Sequence, residues 1–284
     1  MTDAVQRVAF LGPLGTFSHA AVERFFGDEA PARWLSVATI DDVFLAVETG
    51  NASFGVVPVE NSTEGAVNNT QDCLIDTSVH IAGEIYLSIE HNFLLKRPEE
   101  LSTLKRVVSH KQSLAQCRLW LRANYPNIEQ CEVSSNAEAA RLAATEDGTA
   151  AIAGLRACNL FGLTAVAKKI QDRKNNTTRF LVLSRGVNPA PSGNDKTSIL
   201  VYTENKPGAL FRLLEPFDRF QVSLTRIETR PARDGMWSYV FFIDFEGHID
   251  DEPVRQVFQQ LAGQAAKIKN LGSYPRADFR RPDF

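Results

Sequence analysis

From residue 8 to about residue 183, short apolar runs alternate with stretches of helical periodicity, a rhythm that predicts βα units on largely parallel sheets. Val8–Leu11, Phe54–Val59, Val107–Ser109, Ala150–Ala153 and Phe180–Leu183 are the expected strands. One helix shows how the pattern works. Thr39 is placed to cap it, Asp41 and Asp42 suit its positive first turn, and Ile40, Val43, Phe44 and Val47 form one apolar stripe that faces a core.

The pattern breaks at 186–196, where Asn188, Pro189, Pro191, Gly193 and Asn194 favour turns. Residues 187–196 are the expected linker between one domain at 1–186 and another at 197–284. Beyond it the order reads strand (Ser198–Tyr202), helix (Gly208–Phe220), strand (Ser223–Arg230), strand (Trp237–Phe245), helix (Glu252–Ala265) and strand (Lys267–Leu271). Leu210, Leu213, Leu214, Phe217 and Phe220 stripe the first of these helices, whereas Tyr239–Phe245 is almost continuously apolar. This βαββαβ order resembles a ferredoxin-like α+β module with both helices on one face of a single sheet. Its size suits a regulatory domain.

Composition narrows the class. A length of 284 residues exceeds a typical single domain, and 44% hydrophobic with 23% charged residues is ordinary for a globular chain. The formal net charge of -3 lacks the cationic field that nucleic acid requires. No apolar run reaches the length of a membrane span and no export signal is read at the start, so a cytoplasmic protein with neither nucleic acid nor membrane as partner is expected. Cys73, Cys117, Cys131 and Cys158 show no C-x-x-C spacing and are expected to be reduced, structural thiols. His19, His80, His91, His110 and His248 lack ligand spacing, and neither a dinucleotide nor a phosphate-loop glycine pattern occurs. No metal and no cofactor are expected.

Candidate chemistry lies in three turns that follow apolar strands, at what the pattern predicts to be helix starts: Gly12-Pro13-Leu14-Gly15-Thr16-Phe17-Ser18, Val59-Glu60-Asn61-Ser62-Thr63-Glu64-Gly65 and Ser109-His110-Lys111-Gln112-Ser113. Such turns aim backbone N–H groups, hydroxyls and the positive helix end at anions, so carboxylate binding is one reading. Simple capping by Thr16, Ser62, Thr63 and Ser113 is the other. A fourth element, Asn175-Asn176-Thr177-Thr178-Arg179, runs into a strand and supplies the cation among these turns, Arg179, which is suited either to a bidentate carboxylate pair or to a structural role.

These segments, with Val57-Pro58-Val59-Glu60-Asn61-Ser62, Ser109 to Cys117 and Thr178-Arg179-Phe180, resemble in order the successive signatures of the prephenate dehydratase family. The resemblance implies a two-lobed, periplasmic-binding-protein-like α/β catalytic domain with its active site in the cleft, followed by an ACT domain. It implies conversion of prephenate to phenylpyruvate in phenylalanine biosynthesis, with Thr178 as the key catalytic hydroxyl and Arg179 beside it. Asn61, Ser109 and Gln116 are implied to line the substrate site, with Thr16, Phe17 and Ser62 as neighbours. In the second domain, Gly208-Ala209-Leu210 and Glu228-Thr229-Arg230-Pro231, with Asn205 nearby, are similar to the family's phenylalanine site. ACT domains of the family pair between chains, which implies a homodimer or homotetramer.

Two positions depart from the family pattern. Thr229 stands where serine is usual and adds a methyl group near the effector, and Lys111 stands where many relatives have proline. Glu60, Glu64 and His110 are given no catalytic role. An arogenate dehydratase and a non-enzymatic anion-binding protein are the alternatives to the implied activity.

Overall fold

The computed structural model describes residues 6–27, 33–186, 188–203, 206–231, 239–263, 265 and 267–278. The chain divides into two compact units. One contains the N-terminal segment up to Thr70 together with Ile85–Phe180, and the other contains Gln71–Glu84 and Leu181–Asp278.

In the first half the elements run β1 (Val8–Leu11), α1 (Phe17–Phe26), β2 (Trp34–Val37), α2 (Ile40–Thr49), β3 (Phe54–Asn61), β4 (Gly65–Ala66), α3 (Asn68–Asp76) and β5 (His80–Ser88). They continue with β6 (Asn92–Leu95), β7 (Arg106–His110), α4 (Lys111–Gln116), α5 (Arg118–Asn124), β8 (Glu129–Val133), α6 (Asn136–Thr145), β9 (Thr149–Ala153), α7 (Leu155–Leu160), β10 (Thr164–Ala167) and β11 (Thr177–Ser184). The capping box expected at α2 is present. Thr39 Oγ1 accepts from Asp42 N and the Asp42 carboxylate accepts from Thr39 N, both at 3.1 Å.

Two sheets result. The first has the order β2-β1-β3-β11-β5 with β4 added to β3, and the second has the order β10-β6-β9-β7-β8. All five strands of the second sheet fall in sequence between β5 and β11, so the chain leaves the first lobe once and returns once, which makes two lobes with a cleft. The second sheet is buried on both faces: Phe93, Leu95, Val107, Ala150 and Ile152 feed one core, while Leu94, Val108, Ala151 and Ala153 feed the other. On the latter face Ala139, Ala140 and Ala143 of α6 pack into one core with Leu94 and Val108 of the sheet.

The expectation of largely parallel sheets needs correction. β1 is parallel to β2 and β3, and β7 is parallel to β8 and β9, but β6 is antiparallel to both β9 and β10, and β4 is antiparallel to β3. Apolar periodicity identifies a strand and not its direction. Here β6 enters the second sheet directly from β5 of the first, so no crossover within one sheet sets its direction.

The C-terminal elements are β12 (Asp195–Thr203), α8 (Ala209–Arg219), β13 (Leu224–Pro231), β14 (Tyr239–Glu246), α9 (Glu252–Ala262) and β15 (Lys267–Pro275), in the expected βαββαβ order. The sheet order is β13-β14-β12-β15, and β12 pairs antiparallel with both of its neighbours. Alternate residues Ile199 and Val201 of β12 and Phe241, Ile243 and Phe245 of β14 join Leu213 and Phe217 of α8 and Val254, Val257 and Leu261 of α9 in one core. Both helices therefore cover the same face.

The expected linker is not a free tether. Asp195 accepts from Ser192 N, Ser192 Oγ and Gly193 N, Asn188 Oδ1 accepts from Ser273 N, and Asp195 and Lys196 already belong to β12. Residues 71–84 also join this unit, where Lys269 Nζ donates to the carbonyls of Leu74, Ile75 and Thr77.

Candidate active site

The cleft of the first unit has a volume of about 570 Å³, within the usual range for a small-molecule site. Its floor is made by the end of β3 and the start of β11. Asn61 Oδ1 accepts from the backbone N–H groups of Thr63 and Glu64 at 2.8 and 3.0 Å, which turns Asn61 Nδ2 toward Thr178 Oγ1 and Asn176 Oδ1, each at 2.8 Å. Asn176 Nδ2 donates to Gln116 Oε1 at 2.9 Å, and Gln116 Nε2 donates to Glu64 Oε1 at 3.0 Å. Thr178 Oγ1 thus receives a hydrogen bond, and its own O–H has no acceptor among the described residues.

The walls are helix starts. Thr16 caps α1 by accepting from His19 N, and the preceding turn needs Gly15 at φ 91°, where its N–H donates to His19 Nδ1 at 3.0 Å. Phe17 follows, edge-on to the His91 ring with centroids 5.6 Å apart. In the other lobe Ser135 caps α6 through Glu138 N, and Asn136 Oδ1 accepts from Ser109 Oγ, Ser113 Oγ and His110 N. The starts of the ten-residue helices α1 and α6 both reach the cleft, and with them N–H groups that lack intrahelical partners. Among the described residues lining it there is no lysine or arginine.

Burial holds His91 below its ordinary value of 6.5, opposed by the hydrogen bond to Gln116, and burial likewise depresses His19, with Glu23 opposing and Arg156 reinforcing. Both rings are therefore neutral at neutral pH. An unfolded chain takes up protons at these positions near pH 6.5 while the folded one does not, so the stability they contribute is present above about pH 6.5 and is lost as the pH falls toward the lower folded values. Chemical denaturation should show a lower midpoint at about pH 5.5 than at about pH 7.5, and His91→Gln should narrow that difference. An unchanged difference would mean that folded His91 titrates at its ordinary value.

Of the residues expected in the site, Thr16, Phe17, Asn61, Gln116 and Thr178 do line the cleft. Arg179 does not: strand alternation places Thr178 and Phe180 on the cleft side of β11 and carries Arg179, which is buried, to the opposite face. Ser109 is fully buried behind the wall, donating to Ile152 O and Asn136 Oδ1. Ser62 is a clasp, with its Oγ donating to Asn175 O and accepting from Thr177 N. It starts no helix, because the turn after Asn61 leads into β4.

His91, Asn136, Ser134 and Ser135 line the cleft without having been singled out, and so does Glu64, which was given no catalytic role. Ser135-x-x-Glu138 is a capping-box spacing and marks the α6 start in the sequence, whereas nothing local marks His91.

In the second unit Gly208 sits at the N-cap of α8 with φ 77°, followed by Ala209 and Leu210, and Glu228, Thr229, Arg230 and Pro231 end β13. Arg230 Nη2 pairs with Asp72 of α3. Asn205 lies outside the described residues.

A family model described as prephenate dehydratase matches residues 8–188, and one described as ACT domain matches residues 197–263. The bifunctional chorismate mutase/prephenate dehydratase of Stutzerimonas stutzeri is 51% identical over 271 residues, which cover 95% of this chain and 73% of that protein. The prephenate dehydratase of Mycolicibacterium vanbaalenii is 34% identical over 95% of this chain and 91% of its own. A crystal structure of prephenate dehydratase from Arthrobacter aurescens in complex with L-Phe, 35% identical, has a TM-score of 0.88 and covers 96% of this chain and 91% of that one. The chain belongs to the prephenate dehydratase family and carries a C-terminal ACT domain.

Proposed function

We propose that the cleft binds prephenate and converts it to phenylpyruvate, with Thr178 as the donor to the departing ring hydroxyl. The observation that carries this reading is the orientation of Thr178: Asn61 donates to its oxygen, which leaves the O–H unspent and at the cleft. In the reaction the bond from the ring to its carboxylate breaks, its electron pair makes the ring aromatic, and the ring C–O bond opposite breaks. Carbon dioxide and hydroxide leave, and hydroxide takes a proton to become water. Aromatisation supplies the driving force. The protein's task is to hold two carboxylates and stabilise the leaving oxygen as charge develops on it.

The substrate carboxylates are assigned to the helix starts of α1 and α6 with the Ser113 and Asn136 side, where oriented N–H groups and hydroxyls replace water without a cationic side chain. Ser62 and Ser109 act by holding Thr177 and Asn136 in place, and Arg179 is a buried residue of β11 with no part in binding. A second reading, arogenate in place of prephenate, is favoured by Glu64, a carboxylate at the cleft that can pair the ammonium group arogenate carries.

The ACT domain is the seat of phenylalanine control in this reading, with Gly208–Leu210 and Glu228–Pro231 holding the amino acid between paired chains in a homodimer or homotetramer. Exposed Leu210 and Phe211 on α8 and Ile227 on edge strand β13 offer apolar surface for that pairing. The four free cysteines fit a reducing, cytoplasmic setting, and no helix among the described residues is long and apolar enough to cross a membrane. Turnover of prephenate measured across a phenylalanine titration tests the reading. Gly208→Val and Arg230→Ala should lose the phenylalanine response, a coupling of about 1 to 3 kcal/mol, with turnover in its absence still measurable. A full response in both variants would remove the site from this domain face.

A further inference from the structure

We propose that Asn176 is a positioning residue for the dehydration: it is the middle link of a side-chain amide relay that fixes the direction in which Thr178 donates and ties it to Gln116 and His91. This rests on the reading of Thr178 as the donor to the leaving oxygen.

The direction of the relay begins at the backbone. Peptide N–H groups only donate, so the Asn61 atom that faces Thr63 N and Glu64 N is its oxygen. Asn61 Nδ2 then spends its two protons on Thr178 Oγ1 and Asn176 Oδ1. Asn176 is thereby turned so that its nitrogen meets Gln116 Oε1, which also faces His91 Nε2 at 2.9 Å. The far end is anchored as well, because Gln116 Nε2 donates to the Glu64 carboxylate. Each link permits one orientation of the next. His91 must carry its proton on Nε2, which leaves buried Nδ1 as an acceptor with no partner among the described residues. Burial keeps this ring neutral, as the single-proton tautomer requires.

Asn176 is buried, and its main chain is held without its side chain: its carbonyl accepts from Ile89 N, and Ser62 clasps both of its neighbours. Truncation of the side chain therefore breaks the relay at its centre while the strand start stays clamped. Water filling the gap both donates and accepts, so it passes no direction on to Gln116, and it leaves the Asn61 amide, still oriented by Thr63 N and Glu64 N, without the buried acceptor that holds its nitrogen in place against Thr178.

Asn176→Ala should lower kcat at least about tenfold with KM changed less than about threefold. In a Thr178→Val background the same change should cost less than about twofold, because the relay acts through Thr178. Asn176→Asp keeps the acceptor for Asn61 but sets oxygen against Gln116 Oε1. Gln116 must then reverse, its amide donating to His91 Nε2 while its oxygen displaces the exposed Glu64 carboxylate, so the His91 proton moves to Nδ1. Nitrogen-15 NMR of the histidine rings reads this switch, and it reads the Nε2–H form in the unaltered chain, a test that needs no variant to fold.

An Nδ1–H His91 in the unaltered protein, an Asn176→Ala kcat within about twofold of normal, or full additivity with Thr178→Val would each overturn the relay. If Thr178→Val itself keeps normal turnover, it is the donor role of Thr178 that fails. The His91 tautomer still decides the direction of the relay in that case.

Discussion

Thr178→Val is expected to reduce turnover of prephenate at least about tenfold, about 1.4 kcal/mol of barrier, with a much smaller change in KM. Valine keeps the branched shape and the β-propensity that suit the start of β11, so the change removes the hydroxyl and little else. General-acid assistance by one positioned group typically contributes about 100- to 10,000-fold, so tenfold is the floor. Thr178→Ser, which keeps the hydroxyl and the Asn61 contact, should recover most of the rate. Steady-state rates for the three proteins decide the matter, and a valine variant with near-normal kcat would remove Thr178 from the chemistry.

The largest expected effect on stability is far from the cleft. Lys196 Nζ lies 2.9 and 2.8 Å from the two carboxylate oxygens of Glu84, and the side chains are 4% and 0% exposed. Lys196→Met removes the cation that contacts both oxygens of a buried carboxylate and should destabilise the protein by about 3 to 5 kcal/mol. Ala277 N also donates to Glu84, so part of the carboxylate's hydrogen bonding survives. The double variant Lys196→Met with Glu84→Leu removes both charges and should recover much of the loss, since two charges taken from water together gain little over well-packed apolar groups. Thermal unfolding of the full chain measures both. A single variant with an unchanged melting temperature would show that the pair contributes nothing.

That pair also shows where the sequence stops being readable. Lys196 falls at the end of a Pro, Gly and Asn-rich stretch and reads as linker, because local pattern cannot show that a lysine will meet Glu84 more than a hundred positions earlier. The same limit hides the membership of residues 71–84 in the C-terminal unit. Elements carried by local physics were legible: the Thr39 and Asp42 capping box, the stripe of α2, and all six elements of the βαββαβ block to within a few residues.

In the site, motif order led to Thr178, Asn61 and Gln116, which do meet. It also led to Ser109, which lies buried behind the wall, and it named Arg179 and Ser62 by adjacency; adjacency along a strand is what alternation undoes, since of two consecutive residues on β11 one faces the cleft and the other the opposite side. Asn176 and Glu64 lie within the motif segments, but the contacts that give them a role, like those of His91, join distant parts of the chain, so local pattern does not distinguish them.

The most direct test is to incubate the purified chain separately with prephenate and with arogenate, and to follow phenylpyruvate from the first and phenylalanine from the second. Formation of phenylpyruvate from prephenate, suppressed or otherwise altered by added phenylalanine, is the predicted result. Binding of prephenate without turnover, or turnover of arogenate alone, would contradict the assignment of this cleft to prephenate dehydration.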